Sequence, residues 1–299
     1  MKDAAIRVSG LRKEYDGVIA VDGIDFEVYP GEVFGLLGPN GAGKTTTLEC
    51  LEGLRGRDAG DVRVLGIDPD RDSRRLFGRI GVQLQVGSLP ANLTAREAMK
   101  LFAAYHGVTP DHEPLERLGL DPEMGTQYGD LSTGQKRRVD LALAVIHHPD
   151  VLFLDEPTAG LDVSSRIALH QLIRELRRGG TTIVLSTHDM AEAEALADRV
   201  AILLRGRVAA IGSPRELTAT GNGLTKVSVR TLEGALLSQT VPGFEVQGDY
   251  AVGFTAEPGP TVNRLINHVA SRGDTLVDLR VERPSLEERF LEMIHGESA

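Results

Sequence analysis

Hydrophobic spacing changes period several times along the chain, and the changes divide it. Alternation in "IRVSGL" and in "IDFEVYPGEVFGLLG" predicts strands, the last apolar enough to sit inside a sheet. "GKTTTLECLEGL" predicts a helix with Leu48, Leu51 and Leu54 on one side. "DAGDVRVLGIDP" reads as turn, strand and turn, and "RIGVQLQ" as a further strand. From about 92 to 148 the pattern is helical. Thr94 and Glu97 form a capping-box pair before "AMKLFAAYHG", and Ser132 occupies the N-cap position of a buried helix running through "VDLALAVIHH". Strand and helix then alternate in "VLFLDEP", "VSSRIALHQLIRELRRG", "TTIVLST", "DMAEAEALADR" and "VAILLRGRVAAIGS", with a hairpin at Arg205 and Gly206.

That alternation predicts an α/β fold built on a mainly parallel sheet. The helical stretch reads as an insertion, about 87–148, because the β/α rhythm resumes after it. "TATGNGL", Thr218 to Leu224, is the expected boundary between a domain over 1–218 and a small α+β domain over 224–299. In the small domain, "FEVQGDYAVGF" predicts a hairpin and "TVNRLINHVASRG" an amphipathic helix. "TLVDLRVER" predicts a strand, followed by a last helix capped by Ser285 with Glu288.

Composition narrows the function classes. With 41% hydrophobic and 25% charged residues among 299, a packed core is expected. A net charge of −10 disfavours nucleic acid as the main partner. The single cysteine, Cys50, allows no internal disulfide and reads as a small buried hydrophobe. The start lacks the apolar run of a signal peptide, and no stretch approaches the ~18 apolar residues of a membrane span. Work at a membrane would need another chain to cross it.

The candidate chemistry clusters at strand ends. "GPNGAGKT", Gly38 to Thr45, lies between an apolar strand and a helix, the context of a phosphate loop. Gly38, Asn40, Gly41, Ala42 and Gly43 would turn backbone N–H groups toward an anion, with Pro39 in the same loop and Thr46 joining at the helix start. Lys44 would reach the β and γ phosphates, and the Thr45 hydroxyl would ligate Mg²⁺. "VLFLDEP" ends an apolar strand in Asp155 and Glu156. Neighbours on a strand point to opposite sides, so Asp155 suits the metal shell and Glu156 the attacking water. His188 closes another strand and could donate to a γ-phosphate oxygen. A surface or capping histidine is the alternative there. Gln85 ends "RIGVQLQ", with an amide able to bond both a metal-bound water and the attacking water. The run Lys136, Arg137, Arg138 reads chiefly as a solvated face, with attraction of a facing nucleotide as the other reading.

Taken together, the glycine loop, Gln85, "LSTGQ", "VLFLDEPTAGLD" and "STHD" resemble, in order and spacing, the nucleotide-binding subunits of ATP-binding cassette (ABC) transporters. The resemblance covers about residues 5 to 218 and implies the P-loop NTPase fold with a helical insertion. It also implies a head-to-tail dimer of two copies with two ATP molecules and Mg²⁺ between them. Ser132, Gly134 and Gln135 of one copy would close over the γ-phosphate held by Lys44 of the other. Tyr15 matches the aromatic that stacks on adenine, unless it is a core tyrosine. Asp162 matches the loop coupling the two sites, and it also suits a helix N-cap. The family usually has glycine where Thr133 stands, which predicts altered rate or affinity rather than loss of function.

"LEGL", "IGVQLQ" and the ending "RPSLEERFLEMIHG" are similar to drug-exporter ATPases of the daunorubicin-resistance type. Such subunits work with a separate ABC-2 class permease, which implies a peripheral position on the cytoplasmic face of the membrane. An importer, or an exporter of lipid or polysaccharide, is the nearer alternative. A soluble ATPase acting on ribosomes or DNA fits less well, because this chain has one cassette, one cysteine and no heptads.

Overall fold

Two long strands open the chain, β1 (Ile6–Tyr15) and β2 (Val18–Val28), followed by the fully buried β3 (Val33–Leu37). Helix α1 (Lys44–Glu52) comes next, then β4 (Ala59–Val64), the short α2 (Ser73–Phe77) and β5 (Ile80–Gln83). Helices α3 (Ala95–His106), α4 (Glu113–Arg117) and α5 (Thr133–Val145) form the helical stretch. Alternation returns with β6 (Val151–Asp155), α6 (Val163–Arg178), β7 (Thr182–Thr187), α7 (Met190–Leu196), β8 (Arg199–Leu204) and β9 (Arg207–Gly212). The rest comprises α8 (Pro214–Ala219), β10 (Thr225–Thr231), β11 (Phe244–Gln247), β12 (Tyr250–Thr255), α9 (Pro258–Ser271), β13 (Leu276–Glu282) and α10 (Leu286–Gly296).

The structure is a computed structural model and describes residues 3–85, 89–109, 113–120, 125–219, 224–234, 242–282 and 285–296. It forms two compact units, Met1–Pro214 and Arg215–Ala299. Residues 220–223 of the expected boundary segment, 87–88, 110–112 and 121–124 of the expected insertion, and residue 283 of the expected strand "TLVDLRVER" lie outside the described residues.

In the large unit a six-stranded sheet runs in the order β5-β6-β7-β3-β8-β9. All its pairs are parallel except β8 with β9. The strands apolar on both faces, β3, β6 and β7, occupy its middle, where each face must be covered. One face packs against α1 through Phe34, Leu36, Leu48, Leu51 and Phe153. The other packs against α5 and α6 through Leu152, Leu154, Leu141, Leu169 and Ile173.

Two features add to or depart from the sequence reading. Strands β2, β1 and β4, to which the sequence assigned no pairing, form a separate antiparallel sheet. Its hairpin turns at Asp16 and Gly17, with φ of 47° and 85°, the two positive values that a two-residue turn between twisted strands requires. Helix α1 stops at Gly53 (φ 74°), whose N–H donates to the Glu49 carbonyl. Leu48 and Leu51 are therefore buried, but Leu54 lies past the helix and is 50% exposed.

The expected caps form. Thr94 with Glu97, Ser132 with Gln135 and Ser285 with Glu288 each exchange reciprocal side-chain to backbone hydrogen bonds. In the small unit a four-stranded antiparallel sheet, β11-β12-β10-β13, packs α9 on one face through Val227, Val229, Ala251, Leu265 and Val269. No helix among the described residues is long and apolar enough to cross a membrane.

Candidate functional site

The loop from β3 into α1 is held against two neighbouring strands. A Cβ at Gly38 would lie 2.4 Å from the Leu203 carbonyl oxygen, and one at Gly43 would lie 2.4 Å from that of Ala20. Gly43, with φ of 99°, is also the N-cap of α1, which has no capping side chain and no acidic residue in its first turn. Helix α1 thus presents unsatisfied N–H groups and a positive dipole end, without a competing side chain. Lys44, the first helical residue, is buried, and its ammonium donates to the carbonyls of Gly38 (2.8 Å) and Pro39 (3.1 Å). Burial holds its pKa below the ordinary lysine value, against the pull of the Glu156 and Asp155 charges.

A cavity of about 400 Å³ opens beside this loop, lined by Tyr15, Ala20, Asn40, Gly41, Gly43, Lys44, Thr45, Thr46, Gln85 and Glu156. The fold therefore brings residues from β1, the loop, α1, the end of β5 and the turn after β6 to one place. Tyr15 is flanked by cations, with Lys13 Nζ and the Arg55 guanidinium each 5.4 Å from its ring centre.

Asp155 ends β6, buried, and its Oδ1 accepts a short hydrogen bond from the Ser186 hydroxyl on β7. Glu156 does not continue the strand as the alternating pattern predicts. Its backbone turns into the left-handed region at φ 47°, which costs a residue with a Cβ about 1–2 kcal/mol. Its N–H donates to the Ser186 carbonyl (3.1 Å) and hydroxyl (3.2 Å). The turn aims the carboxylate at the loop, with Oε1 3.0 Å from His188 Nδ1 and 3.9 Å from Lys44 Nζ. Facing a carboxylate, His188 Nδ1 is the donor, and that hydrogen bond fixes the Glu156 side chain.

Ser132, Gly134 and Gln135 start α5 and do not line the Lys44 cavity. They adjoin the Gly160–Asp162 turn. A Cβ on Gly134 would touch Leu161, and one on Gly160 would touch the Thr133 methyl. Asp162 caps α6, accepting hydrogen bonds from the Ser165 N–H (2.9 Å) and hydroxyl (2.7 Å). Those bonds, led by the backbone one, hold its carboxyl well below the usual carboxylate range.

The basic run is not a free solvated face. Lys136 donates to the Gly129 carbonyl (3.1 Å), Arg137 to those of Glu156 (2.6 Å) and Gln85 (3.4 Å), and Arg138 to that of Leu118 (2.7 Å). Ser186 was not singled out by sequence as a site residue, and Arg137 was read only as one of the basic run. A serine inside the apolar run "TTIVLST" was the available signal for the first.

The residues fit ATP and Mg²⁺. The cradle has room only for glycine where it approaches backbone, and it leads into a helix N-terminus with a buried lysine. Thr45 and Asp155 offer the oxygen donors that a hard divalent cation takes.

Comparison with known proteins agrees with this geometry. The family model "ABC transporter" matches residues 21–159. The chain is 38% identical over 276 residues to Nod factor export ATP-binding protein I of Burkholderia thailandensis, covering 89% of this chain and 90% of that relative. It is 36% identical over 309 residues to Daunorubicin resistance ATP-binding protein DrrA3 of Streptomyces coeruleorubidus, covering 98% and 96%. Among solved structures, the ATP-binding subunit of an ABC transporter superposes with a TM-score of 0.69 at 27% identity, over 73% of this chain and 94% of that one. A dimeric post-hydrolysis state of the ATP-binding cassette MJ0796, bound to ADP and Pi, gives 0.64 at 27% identity, over 70% and 98%.

Proposed function

Since the chain belongs to the ATP-binding subunits of ABC transporters and is an ATPase, we propose that two copies close head to tail over two ATP molecules. Hydrolysis would then drive export of a drug-like or amphiphilic substrate through a separate ABC-2 type permease. The observation that carries the export reading is the match to a daunorubicin resistance ATP-binding protein along 98% of the chain. The relatives named for Nod factor export favour the same direction with a different cargo.

Each side chain has a task in this reading. Tyr15 stacks on adenine, the loop N–H groups and Lys44 hold the phosphates, and Thr45, Gln85 and Asp155 hold Mg²⁺. Bound Mg²⁺ neutralises phosphate charge. Glu156 orients the attacking water and accepts its proton, with His188 fixing the carboxylate. Ser132, Gly134 and Gln135 contribute to the partner's site. Two observations support partners. Val163 and Ile167 expose 73% and 54% of their surface on the first turns of α6, beside Asp162, as suits a face covered by a second copy. Leu101 and Tyr105, one turn apart on α3, expose 57% and 76% and suit a permease contact. The chain would then sit on the cytoplasmic face of the membrane through that permease.

The test is recovery of tagged Glu156→Gln protein from membranes solubilised with ATP and Mg²⁺, followed by mass spectrometry of what comes with it. A stoichiometric polytopic partner is expected. Recovery with ribosomal proteins, or with none, sinks the transporter reading and leaves the ATPase standing.

A further inference from the structure

Arg137 lies two residues past "LSTGQ" on α5, and its guanidinium is turned into the protein. Nη1 donates to the Glu156 carbonyl at 2.6 Å, and Nη2 reaches the Gln85 carbonyl at 3.4 Å. A single planar fork therefore joins the signature helix to the Gln85 segment and to the turn bearing the carboxylate. Asp140, three residues further along α5, provides the negative charge nearby, itself bonded by the Tyr128 hydroxyl.

The bond to Glu156 matters because of the backbone it holds. A non-glycine residue at φ 47° stays there only if its surroundings over-determine it. The peptide on the N-terminal side of Glu156 is held by Ser186 of β7. On the C-terminal side, the carbonyl accepts from the Ala159 N–H (3.2 Å) within the same turn and from Arg137. Arg137 is the contact in this set that comes from α5. A shift of α5 relative to the sheet must carry the Glu156 carbonyl with it or break the bond.

We propose that Arg137 is a positioning residue for hydrolysis. It locks the Glu156 turn in the orientation that directs the carboxylate at the loop, and it makes that orientation depend on where the signature helix sits. This rests on the reading of Glu156 as the carboxylate that handles the attacking water.

Steady-state ATPase kinetics of the full chain with its membrane partner test it, using Arg137→Met and Arg137→Lys. The expected ranking of kcat is wild type, then lysine, then methionine, with methionine down at least roughly tenfold. KM for ATP should stay within about threefold, because the Lys44 loop is untouched. A residue that merely stabilises the fold would not separate kcat from KM in this way. In a Glu156→Gln background, Arg137→Met should change the single-turnover rate by less than about twofold, since its effect passes through Glu156. An equal fold-loss in both backgrounds, or wild-type kcat in both variants, overturns the proposal. If Arg137→Met does not fold, lysine decides. Its single ammonium lacks the planar fork that spans the two carbonyls, so wild-type kcat in that variant also overturns it. Wild-type hydrolysis by Glu156→Gln alone would instead refute the carboxylate reading, a result distinguishable from failure at Arg137.

Discussion

At the residue scale, the phosphate loop separates two roles of glycine. Gly41 and Gly43 both have positive φ, but an added Cβ meets nothing within 4 Å at Gly41 and strikes the Ala20 carbonyl at Gly43. Gly41→Ala should therefore cost only the local strain of about 1–2 kcal/mol and retain ATP binding. Gly43→Ala should displace the loop and weaken binding at least tenfold, as titration with a fluorescent nucleotide would show. Ser186→Ala removes the donor to Asp155 and an acceptor for the Glu156 N–H. Its expected signature is a fall of roughly tenfold in kcat together with a higher Mg²⁺ requirement. Unchanged Mg²⁺ dependence would remove Ser186 from the metal's support. The loop and both carboxylates were legible in the sequence because their chemistry lies within one contiguous stretch each. The contacts of Ser186 and Arg137 were not, because they join positions separated in the chain and exist only once β7 and α5 have packed.

At the scale of elements, strands and caps could be read wherever the deciding signal was local. The Ser132 capping box is an example, and Ser132→Ala should cost about 1 kcal/mol in stability. The antiparallel β2-β1-β4 sheet was not read, since period-two spacing does not say which strands pair. The Asp16-Gly17 turn was the clue available. Leu54 was misplaced because its spacing continues the helix while Gly53 ends it. Between α3 and the end of α5, His106 and His147 stack with ring centres 3.7 Å apart, and His147 lies 3.0 Å from the Ile80 carbonyl. Burial, and then the neighbouring His106, push the His147 pKa from 6.5 down to about 4. The unfolded chain takes up that proton first, so the stability this site contributes is complete above pH 6.5 and is lost as pH falls toward about 4. The slope is at most about 1.4 kcal/mol per pH unit for one proton. Melting temperature should fall less steeply with acid in His147→Gln than in the wild type, and parallel curves would discount the site.

For the whole molecule, the proposed head-to-tail dimer would divide the chemistry between copies. The Lys44 cavity and the start of α5 occupy different places on one chain, and the exposed Val163 and Ile167 adjoin the latter group. In mixed dimers, Ser132→Arg in one subunit should silence the site whose Lys44 lies on the other. Continued hydrolysis there would end the shared-site reading. Ile167→Glu should weaken ATP-dependent dimerisation of the Glu156→Gln protein at least tenfold by sedimentation, with ATP binding by the monomer retained. The left-handed backbone at Glu156 has one more consequence, for attempts to engineer this chain. Glycine at that position would relieve about 1–2 kcal/mol of strain while deleting the carboxylate. With Glu156 handling the attacking water as proposed, the site opposes heat tolerance to turnover at a single codon, and a screen that rewards survival of heating alone would enrich a protein that folds better and no longer works.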